Sequence, residues 1–157
     1  MMKAHRTCRA GTTCGLDRPR ADNVRVGEQR VGDGDQIILV VDDHRTAREL
    51  MVAALEPLAR RVVTCGSAAA ALQEIAADAP GLVLTDRRLG ATDGLDLVRA
   101  IKGDPSTSRI PVIVVSGDMS VDAAEQARAA GADGYLVKPV ALATLLREAE
   151  RWLRGVG

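Results

Sequence analysis

The sequence predicts a doubly wound α/β fold, in which a five-stranded parallel sheet is covered by helices on both faces. From Ile37 onward, five short aliphatic runs alternate with five longer stretches that carry apolar residues at helical spacing. Such alternation is typical of repeated strand–helix units. The strand-like runs are apolar at every residue rather than at every second residue, which indicates strands that are buried on both faces.

Each predicted element can be assigned to a stretch of the chain. Ser67 and Asp93 stand where they would cap the second and third helices, because their side-chain oxygens can accept from free N–H groups of the first turn. The predicted strands are IILVV (37–41), VVTC (62–65), LVLT (82–85), PVIVV (111–115) and GYLV (134–137). The helices lie in RTARELMVAALEPLA, SAAAALQEIAADA, DGLDLVRAIKG, VDAAEQARAAGA and ALATLLREAERWL.

Composition and charge exclude several classes of protein. Lys plus Arg (21) equals Asp plus Glu (21), so no overall basic field favours nucleic acid as a partner. Apolar runs fall far short of the ~20 residues that span a bilayer, and no apolar segment follows the basic start of the chain. Three cysteines give no disulfide framework. We therefore expect a cytoplasmic protein without a membrane partner.

The first 35 residues differ from the rest of the chain in composition and periodicity. They contain few large apolar residues, show neither strand nor helix periodicity and end in the turn-forming run GDGDQ. This composition predicts a flexible or disordered extension over residues 1–35. The folded domain is predicted over residues 36–155.

Polar residues follow four of the five predicted strands. Asp42 and Asp43 follow the first strand, Asp86 the third, Ser116 the fourth and Lys138 the fifth. In open α/β sheets, ligands bind outside the carboxyl ends of the strands, so these residues are expected to converge. Taken singly, each has an ordinary alternative as a helix cap, a turn residue or a solvated charge. Their joint position at one edge favours a functional site.

The predicted cluster has the composition of a phosphoryl-transfer site. Two carboxylates ~4 Å apart repel by about 4 kcal/mol at an effective dielectric of 20, and a bound cation would offset this. Mg²⁺ prefers a few carboxylates together with water. Beside the metal, one carboxylate would attack phosphorus, while Ser116 and Lys138 would hold the oxygens of the incoming group.

Four motifs in order resemble the receiver domain of two-component response regulators. They are VVDD (40–43), LTDRRLGATDG (84–94), VIVVSG (112–117) and GADGYLVKP (131–139). The resemblance extends from about Ile37 to Leu153. It implies a CheY-like single domain with the flavodoxin-like strand order 2-1-3-4-5.

The resemblance also implies a role for each site residue. Asp86 would be the phosphoacceptor, with Ser116 and Lys138 as its catalytic neighbours. The implied Mg²⁺ ligands are Asp42, Asp43, Asp86 and the backbone carbonyl of Arg88.

Two further residues and one peptide bond take their expected roles from the family. Ser116 would move toward the phosphoryl group, and Tyr135 would turn inward as the switch aromatic. An alternative for Tyr135 is an aromatic at the edge of the core without a signalling role. The Lys138–Pro139 peptide bond corresponds to one that is cis in this family.

The sequence departs from the family pattern in the loop after the acceptor. Leu89 and Gly90 replace a common Met-Pro pair, and we expect Gly90 to loosen the loop. Arg88 and Asp118 stand at the rim of the site, and we predict an ion pair between them that hinders the attacking water. The alternative is two solvated side chains that contribute little.

The expected function is that of a stand-alone receiver. A sensor histidine kinase or histidine phosphotransfer protein would phosphorylate Asp86, and the surface around 121–153 would then contact a downstream protein. A phosphorelay intermediate or phosphate sink is the main alternative, and a receiver that binds without phosphorylation is another. An aspartyl-phosphate hydrolase is more distant, because such enzymes use a DxD pattern and this chain has DDH. Catalysis beyond the protein's own phosphorylation and dephosphorylation is not expected.

Overall fold

A computed structural model describes residues 5–8, 36–58 and 60–154 of the chain. Its strands are β1 (His5–Cys8), β2 (Ile37–Val41), β3 (Arg61–Cys65), β4 (Leu82–Asp86), β5 (Arg88–Leu89), β6 (Thr92–Asp93), β7 (Val112–Ser116) and β8 (Gly134–Val137). Its helices are α1 (Arg45–Leu55), α2 (Ala68–Ala77), α3 (Gly94–Gly103), α4 (Val121–Ala130) and α5 (Leu142–Leu153), with a 3₁₀ turn at Glu56–Leu58.

The main sheet has the strand order β1-β3-β2-β4-β7-β8, and every pair in it is parallel. The five predicted strands occupy the flavodoxin-like order 2-1-3-4-5, counted from β2. The predicted fold class is therefore confirmed. The short strands β5 and β6 form a separate antiparallel pair directly after β4.

Strand β1 is an addition that the sequence pattern did not indicate. Its residues pair with β3 in a parallel register that runs from His5 opposite Val62 to Cys8 opposite Cys65. A sixth strand thus covers the edge of the sheet beside β3. The rest of the predicted flexible extension lies outside the described residues, and the boundary of the folded domain stays a prediction.

Buried aliphatic side chains fill both sides of the sheet. Successive residues of a strand point to opposite faces, so Leu39 packs with residues of α2, α3 and α4, whereas Ile38 packs with residues of α1 and α5. Both side chains are fully buried. Each contributes about 1.5–3 kcal/mol through removal of its apolar surface from water. Trp152 packs against the second of these clusters.

Side-chain caps define where three helices begin. The oxygens of Ser67, Asp93 and Ser120 accept hydrogen bonds from backbone N–H groups in the first turns of α2, α3 and α4. The predicted caps at Ser67 and Asp93 are therefore confirmed. Among the described residues, no helix is long and apolar enough to cross a membrane.

Candidate functional site

The carboxyl ends of four parallel strands lie level with one another at the site. In the sheet register Val41 pairs with Thr85, Asp86 with Val115, and Ser116 with Val137. The residues that end or follow these strands therefore meet at one edge. Asp86, Ser116 and Lys138 all line the cleft that opens there.

Lys138 lies between two carboxylates that come from different strands. Its Nζ is 3.0 Å from Asp86 Oδ2 and 3.5 Å from Asp42 Oδ2. Partial burial lowers the pKa of Lys138, but the hydrogen bond and the attraction from Asp86, reinforced by Asp42, raise it above the ordinary 10.5. The ammonium group is therefore charged at neutral pH. The Lys138–Pro139 peptide bond is cis.

Asp42 is a buried carboxylate whose surroundings fix its orientation. Its Oδ1 accepts a hydrogen bond from the backbone N–H of His44 at 2.8 Å. Its backbone carbonyl accepts from Arg48 Nη1 at 2.7 Å, and its backbone N–H donates to the Cys65 carbonyl. Because a buried charge needs both donors and a counter-charge, these contacts together with Lys138 keep the carboxylate in place.

Asp43 is bound to the loop that follows Asp86. Its Oδ2 accepts a hydrogen bond from the backbone N–H of Gly90 at 3.0 Å. Gly90 begins the two-residue connection between β5 and β6 and has a φ of 66°, which suits glycine in a tight hairpin. A proline has no N–H and a φ near −65°. Gly90 thus anchors the loop to Asp43 through a contact that the sequence did not indicate, and its effect on the mobility of the loop stays a prediction.

The Asp86 carboxylate receives a different donor on each oxygen. Oδ1 accepts from the backbone N–H of Arg88 at 3.1 Å, and Oδ2 accepts from Lys138. Gly94 lies directly against the Asp86 backbone, so closely that a Cβ at this position would collide with the Asp86 carbonyl oxygen. The start of α3 can therefore approach Asp86 only because residue 94 lacks a side chain.

The acidic residues form a cluster that suits a divalent cation. Oxygen atoms of Asp42, Asp43 and Asp86 and a ring nitrogen of His44 lie within 4.8 Å of one another. Three carboxylates offer the hard oxygen donors that Mg²⁺ prefers, so the residues fit the expected metal. His44 was not predicted as a site residue, although its place directly after the two aspartates was a signal. The role of the Arg88 carbonyl stays a prediction.

Ser116 and Tyr135 contact the same residue of the loop that follows β7. Ser116 is buried, and its Oγ accepts from the backbone N–H of Asp118 at 3.1 Å. The Tyr135 hydroxyl donates to the Asp118 backbone carbonyl at 2.7 Å. Asp118 therefore joins the predicted switch residues through its two backbone groups.

The ion pair predicted between Arg88 and Asp118 is absent, since no contact of 4.0 Å or less joins their charged groups in the described structure. The Asp118 carboxylate instead accepts from the backbone N–H of Ser120 at 2.9 Å. That hydrogen bond is the main cause that lowers the pKa of Asp118, and the two nearby arginines contribute less. The local bond needs no long side chain to be ordered, whereas an ion pair between the exposed Arg88 and Asp118 would have to offset the ordering of the arginine side chain in water.

Arg87 forms contacts that the sequence did not predict. Its Nε donates to Asp93 Oδ1 and its Nη2 donates to Gln126 Oε1, each at 3.0 Å. Burial opposes the shift in the pKa of Asp93, but the hydrogen bonds from Leu95 and Arg87 lower it. Arg87 thus connects the end of β4 to the cap of α3 and to α4.

Comparison with known sequences identifies one family. The sequence model of the response regulator receiver domain family matches residues 38–150 of the chain. The phosphate regulon transcriptional regulatory protein PhoB of Pseudomonas aeruginosa is 32% identical over 120 residues, which are 76% of this chain and 52% of that protein. The C4-dicarboxylate transport transcriptional regulatory protein DctD of Rhizobium meliloti is 36% identical over 73% of this chain and 24% of its own length. The chain thus spans about half or less of the length of these relatives.

Solved structures with the same fold are themselves close to the size of the described domain. A putative response regulator from Chloroflexus aurantiacus has a TM-score of 0.73 and 27% identity, over 76% of this chain and 98% of that one. A CheY-like receiver domain protein from Methanospirillum hungatei has a TM-score of 0.70 and 27% identity, over 76% and 94%. The resemblance drawn from the four motifs is confirmed.

Proposed function

Because the chain belongs to the response regulator receiver domain family, we propose that Asp86 accepts a phosphoryl group from a phosphohistidine. Members of this family interact with histidine kinases, which supply that group. The observation that carries the proposal is the position of Lys138, whose ammonium bridges Asp86 and Asp42 beside the acidic cluster. A carboxylate nucleophile, a fixed cation and clustered oxygen ligands are the groups that phosphoryl transfer requires.

In the proposed reaction, an oxygen of Asp86 forms a bond to phosphorus while the bond from phosphorus to the histidine nitrogen breaks. The nitrogen leaves with the electron pair of that bond. Mg²⁺ held by Asp42, Asp43 and Asp86 would neutralise charge on the phosphoryl oxygens. Lys138 and Ser116 would hold phosphoryl oxygens, and the N–H of Arg88, which already faces Asp86 Oδ1, would orient the carboxylate.

The proposed output is a change in the surface around 121–153. When the Ser116 hydroxyl turns toward the phosphoryl group, it gives up the bond from the Asp118 N–H, and Tyr135 is held by the same residue. Movement of Asp118 would therefore reach Tyr135 and the start of α4. Met119 and Val121, which follow in the chain, are strongly exposed large apolar residues. This exposure supports a protein contact there.

We also propose that the receiver acts as a stand-alone unit. The described domain covers 94–98% of solved receiver chains such as those from M. hungatei and C. aurantiacus. PhoB and DctD are transcriptional regulatory proteins, and this role belongs to those longer proteins. The mass of the protein isolated from its native cells tests this, since a product much larger than 16.5 kDa would contradict it.

Phosphoramidate tests the proposed reaction, because its phosphorus–nitrogen bond resembles that of phosphohistidine. Wild type incubated with phosphoramidate and Mg²⁺ should show an acyl-phosphate signal by ³¹P NMR. The signal should be absent for Asp86→Asn and after chelation of the metal. The Glu125→Gln variant, with an exposed substitution on α4, serves as the matched control and should react like wild type. An acyl-phosphate signal from the Asp86→Asn variant would refute the assignment of Asp86 as the acceptor.

The phosphorelay alternative uses the same residues and differs in where the phosphoryl group goes next. Phosphorylated protein should be mixed with a histidine phosphotransfer protein after the small donor is removed. Appearance of phosphohistidine would favour a relay intermediate. Hydrolysis to inorganic phosphate alone would favour a terminal receiver.

A further inference from the structure

His44 places an imidazole within the acidic cluster. Its Nδ1 is 3.0 Å from Asp43 Oδ1 and 3.5 Å from Asp42 Oδ1. The described structure gives this ring no other hydrogen-bond or ion-pair partner. The residue occupies the N-cap position of α1 but makes no side-chain cap bond, and 75% of its side chain is exposed. Helix formation therefore does not account for a histidine here.

The spacing of these atoms suits two ligands of one metal ion. For metal–ligand bonds of about 2.1 Å, adjacent ligands of an octahedron lie about 3.0 Å apart. The separation of His44 Nδ1 from Asp43 Oδ1 has this value, and the separation from Asp42 Oδ1 is only slightly longer. The same cluster contains the phosphoacceptor, Asp86.

Imidazole changes which cation the cluster prefers. Mg²⁺ is held by oxygen atoms and keeps its waters, so a nitrogen donor adds little to its affinity. Divalent transition metals accept imidazole readily, and their affinity for nitrogen ligands exceeds that of the alkaline-earth ions. A fourth protein donor of this type should therefore favour divalent transition metals of the first row over Mg²⁺, with Mn²⁺ showing the smallest gain of that row.

We propose that His44 is a direct ligand of the metal site and tunes it toward divalent transition metals such as Mn²⁺. The proposal rests on the function proposed above, because it concerns the same metal. It adds a nitrogen donor to the oxygen ligands expected from the family. The metal would then hold the start of α1, through His44, together with the acceptor loop.

Binding measurements with Mn²⁺ and Mg²⁺ test this proposal on the full chain. Mn²⁺ is the appropriate probe because softer ions would also bind the thiols of Cys8 and Cys14. The dissociation constants should be measured by calorimetry for wild type, His44→Gln and Arg45→Gln. The His44→Gln variant should lose about tenfold in affinity for Mn²⁺, with little change for Mg²⁺. Arg45→Gln, which removes a neighbouring charge, should shift both constants by the same factor.

Pulsed electron paramagnetic resonance of bound Mn²⁺ gives a direct second readout. A coupling to an imidazole nitrogen should be present in wild type and absent in His44→Gln. If the variant keeps both the coupling and the Mn²⁺ preference, the proposal is wrong while the oxygen-ligand site stands. If wild type binds neither ion, or Asp43→Asn binds both unchanged, the metal site of the proposed function also fails.

Discussion

Neutralising Asp43 should stabilise the metal-free protein. Its carboxylate lies within 4.8 Å of those of Asp42 and Asp86. At that distance one like-charge pair costs about 0.9 kcal/mol in bulk water and about 3.5 kcal/mol at an effective dielectric of 20. Because 28% of the Asp43 side chain is exposed, against 8% and 12% for Asp42 and Asp86, the value in water is a lower limit, and two such pairs cost at least about 1.7 kcal/mol.

The Asp43→Asn substitution also weakens two favourable contacts, of which the one with His44 contributes little because 75% of that side chain is exposed. The Asp43 carboxylate accepts from the N–H of Gly90, and replacing a charged acceptor by a neutral one costs about 1 kcal/mol. The balance is a net stabilisation of about 1 kcal/mol without divalent metal. For a urea dependence of about 2 kcal/mol per molar, the unfolding midpoint should rise by about 0.5 M.

Added Mg²⁺ should reverse this order of stability. A metal at one hundred times its dissociation constant stabilises the folded state by about 2.7 kcal/mol. Wild type should gain this amount, whereas Asp43→Asn, which lacks one ligand, should gain much less. The stability of the variant should therefore exceed that of wild type in chelator and fall below it in saturating Mg²⁺.

Urea unfolding followed by fluorescence measures both effects. Trp152, the single tryptophan, packs against the core and reports on unfolding. Glu125→Gln removes one exposed carboxylate on α4 and should change neither midpoint by more than a small amount. If Asp43→Asn is less stable than wild type in chelator and responds equally to Mg²⁺, the electrostatic account of the cluster is wrong.

Three further predictions concern the loop after the acceptor, Lys138 and Arg87. Gly90→Pro, which restores the common family residue, should destabilise the protein by about 2–3 kcal/mol, because proline removes the N–H bound to Asp43 and cannot adopt positive φ; Gly90→Asn should cost less in the same urea titration. The pKa of folded Lys138 lies above 10.5, so its contribution to stability is complete below about pH 10.5 and is lost as pH rises through the folded pKa. The stability difference between wild type and Lys138→Met should therefore narrow in that alkaline range and stay constant between neutral pH and about pH 10, and narrowing near neutral pH would contradict the assignment. Arg87→Met should lower the free energy of unfolding by about 0.5–1 kcal/mol, because the contacts of Arg87 to Asp93 and Gln126 are lost. It should also raise the pKa of Asp93, as measured by NMR titration, and an unchanged pKa would show that the contact is unimportant in solution.

The fold was predictable because its signal is repeated along the chain. Four of the five predicted strands are mostly apolar runs buried on both faces, whereas the fifth, β8, lies at the edge of the sheet and is only partly buried. Each run is followed by a helix with its own apolar side. Such patterns need no knowledge of distant contacts. The sheet order came from the family resemblance, and the parallel register then explains why Asp42, Asp86, Ser116 and Lys138 meet.

Features that depend on particular local geometry were not predictable. The hydrogen bond from Gly90 to Asp43 requires a positive φ in a two-residue turn, which the sequence only permits. Whether Asp118 pairs with Arg88 or with its own chain depends on loop conformation, and the backbone of Ser120 is the nearer donor. Strand β1 also lacks a local signal, because its pairing partner β3 is more than fifty residues away. Each case involves a contact set by conformation rather than by periodicity.

Intact-mass spectrometry after incubation with acetyl phosphate and Mg²⁺ tests the central claim most directly. We expect one added phosphoryl group, about 80 Da, on wild type and none on Asp86→Asn. Fragmentation should place the group on the peptide that contains Asp86. A wild-type protein that gains no mass while its fold and Mg²⁺ binding are intact, or a group placed on another residue, would contradict the claim.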